Sequence, residues 1–421
     1  MERSPEGAAI RRARADDVDA IHHITVSAFG AAEGSERWAQ WRRHAEQWEG
    51  FLILERAGEP VGATWIGRHP LRFGQASVLL KGDVGHVSIL PELQGQGLGS
   101  LMMRETVRFM DEQGFPISRL GGLCAFYRRF DYVPFPRLYY EFPLGSVQAG
   151  ASALSPETFL APQVGEEERV RPYHPEGDWL ERCRLYDCFN AGRTGSLVED
   201  RPAAPGTGGP DETGLRWVYQ GDDGLRACAF ASITGSTVEI HEAISDPADP
   251  EALVAVVRRA LWEAVRKGAT QGLGRLPFDH RVEAALVEGG VPFHLREMHT
   301  APASNMLLLV SLPRFVETAL PEWRRRLLEA GASGWAGALE LQVQGQTVKL
   351  AVAPDGLELA HSGARANAHL AMPPPAFLLA ALGFRGWYEV AAAAEGDAPP
   401  ALANILGVVF RREPLAAGPL G

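Results

Sequence analysis

The segment that most restricts the fold of this chain is a strand-like run that passes through a glycine-rich turn directly into a helix-like run. Its sequence is Val87-Ser88-Ile89-Leu90-Pro91-Glu92-Leu93-Gln94-Gly95-Gln96-Gly97-Leu98-Gly99. Three glycines stand where the unpaired N–H groups of a first helical turn point outward, and they leave the backbone open to a ligand. Because the helix dipole adds positive potential at this end, the segment predicts an anion-binding turn suited to a pyrophosphate.

Two common phosphate-binding turns do not fit this sequence. The P-loop requires Gly-Lys followed by Ser or Thr, whereas the chain has Gln96-Gly97-Leu98. The dinucleotide fingerprint Gly-x-Gly-x-x-Gly requires a different spacing from that of Gly95, Gly97 and Gly99, and no βαβ unit opens the chain. A third class of turn therefore has to be considered.

That third class fits the residues. The pattern Gln94-x-x-Gly97-x-Gly99, after a strand that ends at Pro91, resembles the acetyl-coenzyme A (acetyl-CoA) loop of the GNAT (Gcn5-related) N-acetyltransferases. The resemblance implies that the backbone of Val87 and Ile89 holds the pantetheine arm and the acetyl carbonyl. The residues that it assigns to the pyrophosphate are Gln94, Gly95, Gly97, Leu98 and Gly99.

A second stretch resembles the same family, Phe126-Tyr127-Arg128-Arg129-Phe130-Asp131-Tyr132. GNAT domains commonly carry an aromatic-Tyr pair here, followed by Phe-Gly-Tyr or Phe-Gly-Phe, and Asp131 stands where glycine is usual. The resemblance implies that Tyr127 is the general acid, since a phenol near the thioester sulfur can protonate the departing thiolate. The alternative is that Tyr127 is an aromatic packing residue.

The chain has 421 residues, which is enough for two to three domains. A hairpin, a strand and a helix follow one another in the first part, and the same order returns roughly 150 residues later, which indicates a tandem domain. The second copy has Ser245-Asp246-Pro247-Ala248-Asp249-Pro250 in place of the glycines, so CoA is not expected to bind there. The last part alternates apolar and polar residues around turns, which predicts a small α+β unit.

Three domains in this order resemble the enhanced intracellular survival (Eis-like) acetyltransferases. The predicted fold is α+β (mixed α/β), with tandem GNAT folds and a last domain similar to sterol carrier protein. The domains are predicted at 1–146 (catalytic GNAT), 147–302 (degenerate GNAT) and 303–421 (sterol carrier protein-like). The resemblance implies amine acceptors such as aminoglycosides and lysine side chains, and a homo-oligomer, either hexamer or trimer.

The general base has three candidates. Members of that subfamily use their own C-terminal carboxylate, which is that of Gly421 here, although this sequence lacks the aromatic last residue of its relatives. His86, on the strand before the turn, can take a proton at neutral pH, and Asp83 is a similar candidate.

Two residues are assigned to the substrate side. Glu36, together with Glu33, follows the first predicted helix, where a carboxylate can orient a cationic amine. Trp38 matches a position that walls the substrate cleft in relatives. The alternatives are that the acids are exposed loop residues and that the tryptophan belongs to the core.

Composition restricts the partners. The net charge is −11, from 41 basic and 52 acidic residues, which argues against nucleic acid and is compatible with a cationic substrate. The four cysteines lack the spacing of metal ligands, so no metal is expected. No apolar stretch approaches the ~20 residues that span a bilayer, and the N-terminus lacks a secretory signal, so a cytoplasmic protein without a membrane partner is expected.

The sequence therefore predicts an acetyl-CoA-dependent N-acetyltransferase that transfers an acetyl group directly to a primary amine, either an aminoglycoside-like polyamine or lysine. Two alternatives stay open. One is a non-catalytic regulatory protein that binds CoA or a lipid, and the other is a lysine acetyltransferase that acts on proteins.

Overall fold

The computed structural model describes residues 7–149, 152–198, 214–299, 302–332, 334–353, 356–361, 363–396 and 398–416. The α-helices of these ranges are α1 (Val18–Phe29), α2 (Glu36–Ala45), α3 (Leu98–Glu112), α4 (Cys124–Tyr127), α5 (Pro156–Phe159), α6 (Glu166–Arg169), α7 (Pro175–Asn190), α8 (Pro250–Arg266), α9 (His280–Glu288), α10 (Leu312–Ala330), α11 (Pro374–Ala381), α12 (Trp387–Val390) and α13 (Pro400–Val409). None of these described helices is both long enough and apolar enough to cross a membrane.

The strands of the same ranges, in chain order, are β1 (Ala8–Arg12), β2 (Phe51–Arg56), β3 (Glu59–Phe73), β4 (Ser77–Ile89), β5 (Ile117–Leu123), β6 (Val133–Pro134), β7 (Arg137–Pro143), β8 (Val147–Ala149), β9 (Ser152–Leu154), β10 (Val170–Pro172), β11 (Gly214–Gly221), β12 (Gly224–Thr234), β13 (Thr237–Ser245), β14 (Gln271–Gly274), β15 (His294–Met298), β16 (Ala303–Leu309), β17 (Gly337–Val343), β18 (Gln346–Ala353), β19 (Gly356–Leu359), β20 (Ala368–Met372) and β21 (Glu395–Gly396).

The first sheet is built around two consecutive hairpins. The β2–β3 turn has Ala57 and Gly58 at φ values of 54° and 86°, and a two-residue turn with positive φ at both positions matches the twist of the strands that it joins. β4 then runs antiparallel to β3 and parallel to β5. The long β3–β4 hairpin carries β4 from the core of the protein to the glycine-rich turn.

The first two sheets exchange strands. The first sheet has the order β1-β2-β3-β4-β5-β16-β6, and the second has the order β10-β11-β12-β13-β14-β7-β15. β7 therefore precedes the boundary expected at 146 but lies in the second sheet, and β16 follows the boundary expected at 302 but lies in the first. Local alternation identifies a strand but not its partners, which are set by long-range packing, so this division could not be read from the sequence.

The two faces of the first sheet are covered by different parts of the chain. α3 packs on one face, where Met103 and Met110 join the same apolar cluster as Val84 and Leu120. The opposite face continues into the core of the last part of the chain, where the buried Phe73 contacts Phe315 of α10 with ring centroids 6.0 Å apart. The first sheet and the last part of the chain therefore share one apolar core.

The third sheet has the order β19-β18-β17-β20-β21, in which β17, β18 and β19 are antiparallel neighbours and β20 runs parallel to β17. Its core contains a cavity of about 20 Å³ lined by apolar side chains, among them Trp323, Leu341 and Phe410. This is space for about one water molecule. Similarity to sterol carrier protein stays a prediction.

Candidate active site

A cleft opens where β4 and β5 separate. The parallel pairing of the two strands runs from Lys81 and Ile117 to Val84 and Leu120, whereas β4 continues to Ile89. In sheets with parallel strands, ligands bind at the carboxyl ends of strands that diverge. The glycine-rich turn follows β4, and Tyr127 follows β5, so the predicted residues lie on the two sides of this opening.

A β-bulge in β4 widens the opening. Ala63 of β3 pairs with Ser88 and Trp65 pairs with Gly85, so one extra residue stands on β4, and His86 has a φ of 51°. The Ser88 hydroxyl lies 3.0 Å from the carbonyl oxygen of His86 and 3.1 Å from that of Ala63 and can donate to either. In the described ladder, His86 and Val87 have no partner on β3.

The glycine-rich turn has the conformation that an anion site requires. Gly95 and Gly97 have φ values of 77° and 81°, and a Cβ at either position would meet no atom within 4 Å. The Gln94 side-chain amide donates to the carbonyl oxygen of Ile89 at 3.0 Å and fixes the turn to the end of β4. The N–H groups of Ser100 and Leu101 donate to the carbonyl oxygen of Gly97 and begin the hydrogen-bond ladder of α3. The N–H groups of the glycine-rich turn before them can therefore donate to an anion.

Tyr127 is held close to this turn by its neighbour Phe126. The rings of Phe126 and Tyr127 lie 5.0 Å apart at 88°, and a Cβ at Gly99 would lie 3.5 Å from Cζ of Phe126. The first turn of α3 and the predicted general acid are therefore in contact through one ring. Burial raises the pKa of the Tyr127 phenol, so the group stays protonated near neutral pH and can serve as a donor.

Tyr132, unlike Tyr127, is a buried packing residue. Its ring is 1% exposed, and its hydroxyl lies 2.7 Å from the hydroxyl of Ser118. Asp131 adopts φ 65°, a left-handed conformation that glycine takes easily and aspartate tolerates, so the departure from the Phe-Gly-Tyr pattern leaves the turn intact.

His86 belongs to a half-buried pair of histidines. Its ring stacks on that of His44, with centroids 4.1 Å apart and planes at 10°. The ring of Trp41 also packs against His86, with centroids 6.4 Å apart. Burial, with the nearby His44, lowers the pKa of His86 to about 4, and burial also lowers the pKa of His44. Because a general base works best when its pKa lies near the operating pH, His86 is poorly suited to that role.

Asp83 is engaged in an ion pair. Its Oδ2 lies 2.9 Å from Nζ of Lys81, whose side chain is 1% exposed, and 3.4 Å from Nε2 of His69. Burial lowers the pKa of Lys81, and the Asp83 carboxylate acts in the opposite direction. A base takes up a proton, and protonation of the Asp83 carboxylate would remove the negative charge that pairs with the buried Lys81 ammonium. This cost disfavours Asp83 as a base.

Residues 9–135 match the family model of the acetyltransferase (GNAT) domain. They form a GNAT acetyltransferase domain. Part of the chain is 32% identical, over 146 residues, to the mycothiol acetyltransferase of Streptomyces coelicolor. The alignment covers 31% of this chain and 44% of that protein, so the chain spans less than half the length of the curated relative that it matches.

Solved structures extend the likeness beyond the GNAT domain. A GCN5-related N-acetyltransferase from Kribbella flavida is 19% identical, with 96% of this chain and 95% of that chain covered at a TM-score of 0.66. Eis1 from Mycobacterium abscessus is 14% identical, with 97% and 99% covered at a TM-score of 0.58. At these identities the likeness concerns the fold. The predicted fold class, a mixed α/β chain with the GNAT fold, is confirmed.

The predicted substrate residues lie in the first turn of α2 and just before it. The Trp38 ring packs on His22 with centroids 4.6 Å apart, and Glu36 and Glu33 are exposed. Sequence reasoning missed His44 and Trp41, which contact the bulge at His86. The signal was available, since Trp38, Trp41 and His44 recur at helical spacing, but spacing alone does not tell which turn of α2 faces the cleft.

Two further predictions can be located. Gly421 lies outside the described residues. In the second sheet, the Asp246 carboxylate accepts from the amide of Ala248 at 3.0 Å, and the Asp249 carboxylate accepts from that of Ala252 at 3.1 Å. The chain's own acids thus occupy amides at the start of α8, which is consistent with the expectation that CoA does not bind there.

Proposed function

We propose that this chain is an acetyl-CoA-dependent N-acetyltransferase that transfers the acetyl group directly to a primary amine. The observation that carries the proposal is the contact between the glycine-rich turn and the helix of Tyr127 through the ring of Phe126. This contact supports a site in which an anion-binding turn and a protonated phenol act on one ligand. The match of residues 9–135 to the GNAT domain supports the same chemistry.

The residues of the cleft fit acetyl-CoA. Open space around Gly95 and Gly97 leaves room for a pyrophosphate against the backbone amides at the start of α3, with Gln94, Leu98 and Gly99 completing the turn. The backbone groups of Val87 and Ile89 are assigned to the pantetheine arm and the acetyl carbonyl. When bound, the thioester supplies an activated acetyl group.

Groups of the chain itself remove the proton from the amine and supply the proton to the leaving thiolate. A base takes the proton of the acceptor amine, the amine nitrogen forms the bond to the acetyl carbon, and Tyr127 donates its proton to the sulfur that leaves. Burial keeps the Tyr127 phenol protonated until that step. Because His86 has a pKa of about 4 and Asp83 is paired with Lys81, we assign the base to the carboxylate of Gly421.

The acceptor is proposed to be a small amine or a lysine side chain. The likeness to a mycothiol acetyltransferase supports a small molecule over a protein. The regulatory alternative requires binding of CoA or a lipid without turnover. We further propose a cytoplasmic homo-oligomer, hexamer or trimer, that acts without nucleic acid, membrane or metal.

The test is release of free thiol from acetyl-CoA in the presence of aminoglycosides, polyamines and lysine peptides. Tyr127→Phe is expected to reduce turnover by about 10²–10⁴-fold, as for a lost general acid, and to leave CoA affinity nearly unchanged. Tyr132→Phe is the matched control, because its hydroxyl bonds to Ser118. Equal turnover in the two variants would remove Tyr127 from the mechanism, and CoA binding without thiol release from any amine would favour the regulatory alternative.

A further inference from the structure

A cavity of about 320 Å³ lies where the first two sheets exchange strands. Its polar lining comes from both sheets: Arg119 stands on β5, Asn305 on β16, Arg137 at the start of β7, and Arg275 directly after β14 beside Glu239 of β13. Apolar residues that include Leu138 and Met298 complete the wall. The cavity therefore exists only because of the strand exchange.

The positive charge of this cavity is only partly balanced. Arg275 is paired with Glu239 at 3.0 Å. Arg119 and Arg137, in contrast, both donate to one neutral acceptor, the side-chain oxygen of Asn305, at 3.1 and 3.0 Å. Among the described residues, no carboxylate lies within ion-pair distance of either guanidinium. Asp83, which faces Arg119 across the β4–β5 pair, is itself paired with Lys81.

The proximity of Arg119, Arg137 and Arg275 is electrostatically unfavourable, and a bound anion can reduce this repulsion. Burial lowers the pKa of the Arg119 guanidinium, the charges of Arg137 and Arg275 act in the same direction, and Asp83 opposes them. Like charges that are partly removed from water repel one another strongly. Guanidinium groups present planar pairs of donors that match the two oxygens of a carboxylate or the oxygens of a phosphate. An oxyanion is the ligand that relieves this repulsion.

The cavity is close enough to the cleft to receive part of an acceptor. Arg119 lies opposite Asp83 in the register of β4 and β5, and the bulge at His86 lies three residues further along β4. At ~3.3 Å per residue this corresponds to about 10 Å. A small molecule can therefore place an amine at the cleft and an anionic group among the arginines.

We propose that the cavity binds the anionic group, a carboxylate or a phosphate, of an amine acceptor. The proposal rests on the proposed acetyl transfer and narrows its substrate class to amines that carry an oxyanion. It differs from the expectation drawn from the net charge of −11, which favours a cationic substrate. The total charge is a property of the whole surface, whereas recognition depends on the charges within reach of the bound molecule.

Binding is tested first, on the full chain with CoA at saturating concentration so that the glycine-rich turn is occupied. Inorganic phosphate and acetate are titrated separately by calorimetry, which distinguishes a phosphate site from a carboxylate site. The wild type is expected to bind at least one of them, and Arg137→Gln to weaken that binding about tenfold or more, as for a lost charge-assisted hydrogen bond. Arg137 is exposed, so this variant is expected to fold; Arg108→Gln, on the exposed side of α3, is the control. No binding of either anion, or equal binding by Arg137→Gln, would overturn the proposal.

Acceptor pairs then test the substrate class. Lysine is compared with cadaverine, and glucosamine 6-phosphate with glucosamine, so that each pair differs in one anionic group. The wild type is expected to favour the member that carries the anionic group by about tenfold or more in kcat/KM, and Arg137→Gln to abolish that preference. Equal use of the two members of each pair, or a preference for the members without the anionic group, would overturn the proposal. CoA and anion binding without thiol release from any of the four amines would refute the acetyl transfer and leave the oxyanion site established.

Discussion

The ring of Tyr127 lies on the backbone of Gly122, so that a methyl group at Gly122 would lie 2.3 Å from Cε2 of the ring. No real Cβ contact is that short, and the atoms nearest to it belong to the phenol ring itself. The end of β5 therefore sets the place of the proposed general acid. This relationship gives the first prediction.

Gly122→Ala is expected to displace the Tyr127 ring and to lower kcat by about 10²-fold, because a shift of ~1 Å in a catalytic group has an effect of that order. The affinity for CoA is expected to change little, since the glycine-rich turn lies on the other side of the cleft. Steady-state kinetics and calorimetry with CoA measure the two effects. Gly145→Ala, where a Cβ would meet no atom within 4 Å, is the control. An unchanged kcat in Gly122→Ala would show that the ring position is not critical.

The second prediction concerns the glycine-rich turn. Gly97 has a φ of 81° and open space around it, so Gly97→Ala introduces backbone strain and places a methyl group where the pyrophosphate is proposed to lie. CoA affinity is expected to fall about tenfold or more. Gly114→Ala is the matched control at the other end of the same helix, with φ 84° and equally open space. Equal loss of affinity in both variants would mean that strain alone is responsible.

Much of the GNAT domain could be predicted from the sequence because its signals are local. The strand, the turn and the helix around Gly97 follow one another within a few residues, and each is defined by its own residue types. The same holds for the β2–β3 hairpin, whose turn residues fix its type. The glycine-rich turn can therefore be identified from the sequence without any long-range contact.

The strand exchange and the arginine cavity could not be predicted, because both depend on contacts between distant residues. Leu307 lies in the apolar run Met306-Leu307-Leu308-Leu309, which is typical of a buried strand, but nothing local indicates that it pairs with Arg119. Arg119 and Arg137 meet at Asn305 only after that pairing has formed. From the sequence alone, β16 is therefore assigned to the last domain, and nothing distinguishes Arg119 and Arg137 from other arginines.

The third prediction tests the exchange in the intact protein. β16 pairs with β5 on one side and with β6 on the other, and its residues Met306 and Leu308 are 0% and 1% exposed. Amide hydrogen exchange of β16 is expected to be as slow as that of β5, because both lie inside the first sheet and open with it. Mass spectrometry of peptides from the full chain measures this. If β16 exchanged much faster than β5, it would not be an interior strand of this sheet.

The fourth prediction concerns acid. His86 has a pKa of about 4 in the folded state and 6.5 ordinarily, so between these values the unfolded chain binds more protons than the folded one. Its contribution to stability is fully present above about pH 6.5 and falls as the pH decreases towards 4. One such group removes about 2 kcal/mol between pH 7 and pH 5, at about 1.4 kcal/mol per pKa unit.

His86→Asn is expected to remove that part of the pH dependence, since asparagine tolerates the positive φ of this position. Urea denaturation at pH 7 and pH 5 gives the comparison, and His23→Asn, at an exposed position on α1, controls for the loss of one imidazole. The same loss between pH 7 and pH 5 in wild type and His86→Asn would assign the acid sensitivity to other groups.

The fifth prediction concerns the carboxylate that joins the last part of the chain to the first sheet. The Glu322 side chain of α10 is 0% exposed and accepts hydrogen bonds from the amides of Gln75 and Ala76 at 2.9 and 3.1 Å and from Arg326 at 3.0 Å. Arg325 and Arg326, with the Gln75 amide, lower its pKa to about 2 in spite of burial. Glu322→Gln leaves the Arg326 guanidinium without this partner and is expected to cost about 3 kcal/mol or more at pH 7.

Glu322 and His86 are expected to change the free energy of unfolding in different pH ranges. A carboxylate with a folded pKa of about 2 and an ordinary value of 4.5 contributes its full stabilisation above about pH 4.5 and loses it as the pH falls towards 2. The difference between wild type and Glu322→Gln in urea midpoint is therefore expected to be constant from pH 7 to pH 5 and to shrink below pH 4.5. Glu329→Gln, a half-exposed acid on the same helix, is the control. A difference that already shrinks between pH 7 and pH 5 would contradict the low pKa, and no difference at any pH would show that Glu322 does not join the two parts.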